Sequence, residues 1–155
     1  MAKSERKVNT LPKPVKTKKV KKKKVKSERQ KLIIACDNLW SDCIIARDKT
    51  CRYSNSEDRL SAHHIRGKSH YSTRWDLENG LCLSWTKIHF LQKNNPEFFQ
   101  DKIIEIIGDE KYQQLKTKSL VRVDYSIADL RDIKESLEKK LDDIKRGLDY
   151  SNVPF

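Results

Sequence analysis

The chain has 155 residues, with 34 Lys or Arg against 22 Asp or Glu and a net charge of +12, a length that suits one domain plus an appendage. No run of 18 or more apolar residues occurs, which leaves no membrane span. The N-terminal charges are not followed by an apolar segment, which argues against a secretory signal. The charge is placed unevenly: residues 1–31 hold 14 of the basic residues and two of the acids, so residues 32–155 carry 20 of each and balance to zero. A Lys-rich run buries too little apolar surface to offset chain entropy, so this tail is expected to be disordered. Its expected partner is a polyanion, nucleic acid first, with Lys21, Lys22, Lys23 and Lys24 as its densest part. Without a secretion signal, the four Cys are expected to be reduced thiols in a cytoplasmic protein.

The tail ends near Ser27-Glu28-Arg29-Gln30. From Lys31, the apolar positions Ile33, Ile34, Leu39, Trp40, Cys43, Ile44 and Ala46 recur at three-to-four spacing and predict an amphipathic helix to about Arg47. Cys36 and Cys43 read as small core-facing residues on it. Two short extended pieces, Thr50 to Ser54 and Arg59 to Ile65, flank the turn formers Asn55 to Asp58 and predict a β-hairpin. Gly67 to Asp76 reads as a polar loop, with Trp75 more at home in a core. Leu81-Cys82-Leu83 leads into a helix capped by Ser84, and Asn94-Asn95-Pro96 stops it and starts the next. Phe98, Phe99, Ile103, Ile106 and Ile107 form the apolar face of that helix, which Gly108 ends. A short helix follows from about Asp109 to Lys118.

The final helix begins at Ser126, with Asp129 in capping-box register. Its stripe of Ile127, Leu130, Ile133, Leu137, Leu141, Ile144 and Leu148 has two readings. It packs on the domain, or it forms the seam of a homodimer. No internal repeat is present.

All four His fall between positions 63 and 89, and His63 and His64 are adjacent. Imidazole is both the usual general base near neutral pH and a common transition-metal ligand. Hydrolysis of a phosphodiester needs a base for the attacking water, a cation to offset charge on the phosphate, and a group that fixes the base's tautomer. Adjacent strand residues point to opposite sides, so His63 and His64 cannot be equivalent: one can hold a metal while the other faces water. His89, on the following helix, can reach the same metal. Asn79 carries an amide able to orient an imidazole or to pin the connecting loop. Arg66, Lys68 and Arg74 lie between His64 and Asn79, where they read equally as phosphate clamps and as solvated charges. His70 reads as a solvent- or DNA-facing residue.

The order His-His…Asn…His resembles that of the HNH (ββα-metal) endonucleases. The resemblance runs from about Leu39 to Leu115. It is carried by Leu39-Trp40-Ser41, Arg47-Asp48-Lys49-Thr50-Cys51, Ala62-His63-His64-Ile65-Arg66-Gly67, Thr73-Arg74-Trp75-Asp76-Leu77-Glu78-Asn79-Gly80 and His89-Phe90 through Asn95-Pro96-Glu97-Phe98. The pattern is similar to that of phage-type members, including the lambda-type NinG/Rap recombination nucleases. The resemblance implies His63 and His89 as metal ligands, His64 as general base and Asn79 as the middle Asn, with one divalent ion drawn from Mg, Mn, Ni, Co and Zn.

Many of these nucleases carry two Cys-x-x-Cys pairs around a structural zinc. Here the pairs are reduced to Cys51-Arg52-Tyr53-Ser54 and Cys82-Leu83-Ser84-Trp85, so no structural zinc is expected. Packing by Tyr53 and Trp85 is expected to hold that corner instead.

The expected architecture is α+β, a mostly helical small domain around a hairpin–helix core. Residues 1–30 are the tail, 31–119 the nuclease domain and 120–155 the C-terminal helix and a short end. The expected function is a metal-dependent DNA endonuclease, with branched recombination intermediates as the substrate the resemblance favours. Its setting would be a bacterial host cytoplasm if the chain is phage-encoded. The alternative is a non-catalytic DNA-binding accessory protein that keeps the same frame.

Overall fold

The structure is a computed structural model that describes residues 26–149, excluding the side chains of residues 86–90. The lysines at 21–24 and the end of the chain beyond residue 149 lie outside the described residues. Helix α1 (Glu28–Asp48) is followed by strand β1 (Leu60–His64), strand β2 (Gly80–Ser84) and helices α2 (Trp85–Asn94), α3 (Pro96–Ile107), α4 (Asp109–Ser119) and α5 (Ile127–Arg146). This is a mostly helical α+β arrangement around one antiparallel strand pair. Among the described residues, no helix is long and apolar enough to cross a membrane.

Helix α1 starts earlier than its apolar spacing predicts. Ser27 accepts from the Gln30 backbone while the Gln30 side chain accepts from Ser27 N–H, a reciprocal cap that satisfies two orphan donors. Residues 28–31 therefore belong to the folded body. Glu28 pairs with Arg131, and Arg29 reaches Asp124, so the first turn is tied to the start of α5. The predicted boundaries of α3, α4 and α5 agree closely with the structure, and α5 carries the Ser126–Asp129 capping box. Ser84 does precede α2, but its side chain caps no N–H there.

The predicted hairpin is wrong in its partner. Asn55 N–H donates to Cys51 C=O and Cys51 N–H to Ser56 C=O, both at 2.8 Å, which winds residues 51–56 into turns and spends the groups a strand would need. β1 pairs instead with β2, placing Leu60 opposite Ser84 and His64 opposite Gly80. A two-stranded sheet is marginal alone, and here each face is covered.

On one face Cys82 joins Cys36, Trp40, Cys43 and Ile44 of α1, with Leu130, Ile133 and Leu137 of α5 beyond them. On the other, Leu81 and Leu83 pack with Cys51 and with Phe99 and Ile103 of α3. This is the period-2 alternation of a strand buried on both sides. Cys36 and Cys43 are fully buried, as predicted for small core-facing residues, and burial pushes both thiols up to about 11.

The α5 stripe is used within the chain. Leu130 and Leu137 are wholly buried against α1, leaving Ile127 and Leu148 as its exposed ends. The stripe packs on the domain, so α5 shares a core with α1. The Cys51–Cys82 corner departs from expectation. Tyr53 and Trp85 do not fill it, being 37% and 56% exposed, because the aliphatic side chains of β2 and the α3 residues already occupy the space.

Candidate functional site

His63 and His64 end β1 and project to opposite faces of the sheet. His63 meets the edge of the Phe99 ring on the α3 side, with centroids 5.1 Å apart at 90°. It lines a cavity of about 80 Å³ shared with Leu83, Ser84, Trp85 and Gln92. Burial lowers its pKa, so the ring is neutral at pH 7, the form a metal requires.

His64 lies on the α1 side, stacked on Trp40 at 3.6 Å and 18°. Gly80, opposite it in the ladder, makes that possible. A Cβ at Gly80 would sit 2.4 Å from Ile44 Cδ1 and 2.6 Å from Trp40 Cζ2, so the missing side chain lets α1 approach the strand. Trp40 is fixed by its indole N–H, which donates to Asp76 C=O at 2.9 Å.

The His64 Nε2 lies 2.8 Å from Arg74 C=O. A carbonyl can only accept, so Nε2 carries the proton and Nδ1 keeps the lone pair. Burial, against the opposing pull of that hydrogen bond, brings the His64 pKa down to about 4. The ring at neutral pH is therefore a free base of defined tautomer.

The loop of residues 65–79 that supplies this carbonyl is held from inside and outside. Asn79 is fully buried. Its Oδ1 accepts from Arg66 N–H at 2.7 Å, and its Nδ2 donates to Arg66 and Thr73 carbonyls at 2.9 Å each. None of these bonds goes to the His63 or His64 ring. Of the two roles open to Asn79, pinning the loop is the one the structure realises.

Arg74 grips Asp37 of α1 through Nε and Nη2 at 2.9 and 2.8 Å and donates to Lys68 C=O from Nη1. Trp75 Nε1 also donates to Asp37, at 2.9 Å. Burial raises the Asp37 pKa, but the bonds and charge of Arg74 outweigh it and hold the carboxyl below its ordinary value.

The three loop cations differ in how far they are committed inside the chain. Arg74 is spent on Asp37, Arg66 Nε donates to Ser119 Oγ at 3.1 Å, and Lys68 reaches Asp37 at 3.4 Å while staying more than half exposed. The Lys68 ammonium and the Nη groups of Arg66 remain donors able to meet a phosphate. His70 is half-buried and tied to α4. Its Nδ1 lies 3.0 Å from Ser119 C=O, clipping the loop to the end of α4.

The structure thus brings His63, His64 and Asn79 together at one end of the strand pair. Position 89 falls on α2, directly after β2, but its side chain is outside the described ones. Among the described residues, no three His, Cys, Asp or Glu side chains are grouped for a metal. His63 could offer one neutral imidazole to a metal beside a small cavity whose lining is more apolar than polar; the described residues add no carboxylate to it.

Sequence reasoning misses three contributors. Asp37 has a readable signal, an acid on the apolar face of α1 one turn before Trp40. Trp40 and Gly80 have none beyond their residue types, because their role depends on how closely α1 and the sheet approach. No family model matches the chain, nor does any curated protein or solved structure.

Proposed function

We propose that the protein is a metal-dependent DNA endonuclease of the HNH type, with His64 as general base and His63 and His89 as metal ligands. The observation that carries this reading is the bond from His64 Nε2 to the Arg74 carbonyl, because it leaves a neutral imidazole with its lone pair on Nδ1. In this reading Nδ1 takes a proton from water as the water oxygen attacks phosphorus, and the bond from phosphorus to the 3′-oxygen breaks, that oxygen taking a proton from solvent, to give 5′-phosphate and 3′-hydroxyl ends. A divalent cation, when bound, would offset negative charge on the phosphate.

The opposed directions of His63 and His64 set a condition on the substrate. Only a phosphate at the open edge or end of β1 can be approached from both sides of the strand. Among the described residues, the outer edge of β1 makes no backbone–backbone hydrogen bond, and it is the edge this reading assigns to the DNA backbone. Asn79, Arg74 and Asp37 act through position: they hold the loop whose carbonyl orients the base. Branched recombination intermediates are the proposed substrate class, by family resemblance alone.

The commitment of Arg74 to Asp37 favours a second reading, a DNA-binding accessory that keeps the frame without cutting. Supercoiled plasmid and four-way junctions incubated with Mg²⁺, Mn²⁺ or Ni²⁺ separate the two. The nuclease reading expects nicking that His64→Ala reduces by roughly two to four orders of magnitude with metal affinity kept. His63→Ala should lose activity and metal affinity together. Full cleavage by His64→Ala would end the assignment of the base, and no cleavage by the wild type with any metal would leave the accessory reading.

A further inference from the structure

The outer edge of β2 is closed by the end of α1 and the turn after it. Arg52 N–H donates to Cys82 C=O, Cys82 N–H to the Asp48 carboxylate, and Arg47 Nη2 to Gly80 C=O, all at 2.8 Å. Between this edge and the start of α4 lies a cavity of about 380 Å³ with a mainly polar lining. Small-ligand sites typically measure about 300–1,000 Å³. Arg47, Arg52 and Lys111 line this one against Asp48 and Glu78, an excess of one positive charge. The two guanidinium groups are not equivalent. Arg47 is spent on Asp48 and on the Leu77 and Gly80 carbonyls. Arg52 is exposed, and its side chain makes no hydrogen bond or ion pair among the described residues. Lys111 pairs with Glu78, whose side chain is more than half exposed. Burial, joined by the charges of Arg47 and Arg52, lowers the Lys111 pKa although Asp76 and Asp48 pull the other way. Both guanidinium charges are thus close enough to act on the Lys111 ammonium.

We infer that this cavity is a phosphate site, in which the Lys111 ammonium and the Arg52 guanidinium hold one phosphate group of a nucleic-acid strand while Glu78 turns out to solvent. The inference rests on the DNA-binding reading above for the source of the phosphate. In the free protein Glu78 supplies the anion that faces Lys111. A phosphate replaces that carboxylate and engages Arg52 as well, whose planar fork matches two phosphate oxygens. Displacing Glu78 costs little, because ion pairs this exposed contribute little to stability. Gly80 and Leu81, which line the cavity, stand opposite His64 and His63, so it lies at the histidine end of the strand pair. It opens on the β2 side and therefore takes a different phosphate from the one at the histidines. Such a contact is blind to sequence and fixes where the backbone lies.

Amide chemical shifts locate the ligand. Full-length protein without metal is titrated with sodium phosphate at constant ionic strength. Wild type is compared with the Arg52→Ala/Lys111→Ala double variant, which keeps the lysine-rich segment and removes no core side chain. The expected result is shifts at Arg52, Gly80, Leu81 and Lys111 that the double variant lacks. Glu78→Gln, which removes the competing carboxylate, should tighten phosphate binding by about two- to fivefold. Anisotropy of labelled duplex over a range of salt tests the source of the phosphate. The double variant should bind duplex about tenfold more weakly, with a log–log salt slope smaller by about 0.9, the value for one phosphate.

No shift at these four residues, or equal shifts in the double variant, overturns the site. Unchanged phosphate affinity of Glu78→Gln refutes the exchange with Glu78. Phosphate shifts at these residues with unchanged DNA affinity of the double variant assign the cavity to free phosphate and refute the nucleic-acid source. Failure of the wild type to bind DNA overturns the DNA reading and with it that source, while the phosphate titration still decides whether the cavity is a site.

Discussion

Removing the Asp37 carboxylate should both destabilise the fold and disturb the base. Asp37 accepts from Arg74 twice, from Trp75 once and from Lys68 at longer range. The Asp37 and Arg74 side chains are 15% and 13% exposed, so Asp37→Ala would strand a guanidinium with little access to water. Breaking a buried ion pair costs about 3–5 kcal/mol, and the residual exposure here places the expected loss near the lower end, about 3 kcal/mol. For a body of this size that is on the order of 10 °C in Tm.

Double substitution of Asp37 and Arg74 should cost less than the two single changes added, since no charge is then orphaned. Because the held-down carboxyl of Asp37 protonates more readily in the unfolded chain, its contribution is present above about pH 4 and is lost as pH falls through the lower folded value. Melting curves of wild type and Asp37→Asn should therefore differ at pH 7 and converge below pH 4. Cleavage should fall as well, through loss of the His64 orientation, with metal affinity retained. A Tm for Asp37→Ala within about 1 °C of wild type at pH 7 would refute the argument.

Gly80→Ala should cost about 1–3 kcal/mol by overpacking against Ile44 and Trp40, and near-ultraviolet circular dichroism should report the displaced Trp40. Leu137→Asp puts a charge at a fully buried position and should cost about 4 kcal/mol or more. The loss should appear as unfolding of the single chain at unchanged oligomeric mass, because α1 already covers the stripe. Deleting residues 1–25 should weaken DNA binding and flatten its salt dependence, by about 0.9 in log–log slope for each phosphate that the tail neutralises, with an unchanged melt. A deletion reaching residue 31 should instead lower Tm, since it removes the Ser27–Gln30 cap and the Glu28–Arg131 pair.

What can be read in advance follows from where the information lies. The helices are legible because their stripes, caps and stops are local: Asn95-Pro96, Gly108 and Ser126-x-x-Asp129 each act within one turn. The Ser27–Gln30 cap is equally local but is masked by the lysines before it. The pairing of β1 is not legible. Residues 51–54 and 80–84 both carry extended-looking composition, and the choice between them depends on turn hydrogen bonds around Cys51 and on burial of β2 from two sides. The opposite faces of His63 and His64 follow from strand geometry alone. The carbonyl that fixes the His64 tautomer does not, because it belongs to the backbone of residue 74, and any residue type could have supplied it.

The same geometry links the candidate base to packing far from it. Strands β1 and β2 share only five paired positions, too few to hold a side chain still without cover on both faces. His64 is steadied by Trp40, Trp40 by its place on α1, and α1 by the leucines and isoleucine of α5. The ring's second fixed point, the Arg74 carbonyl, is tied to the same helix through Asp37. Both constraints on the imidazole therefore run through α1. A substitution that loosens the α1–α5 core should impair the orientation of His64 before it unfolds the protein, whereas one that loosens α3 should act first on the His63 side. Activity loss without metal loss is thus the expected signature of damage to the α1 layer, and coupled loss of both that of damage to the α3 layer.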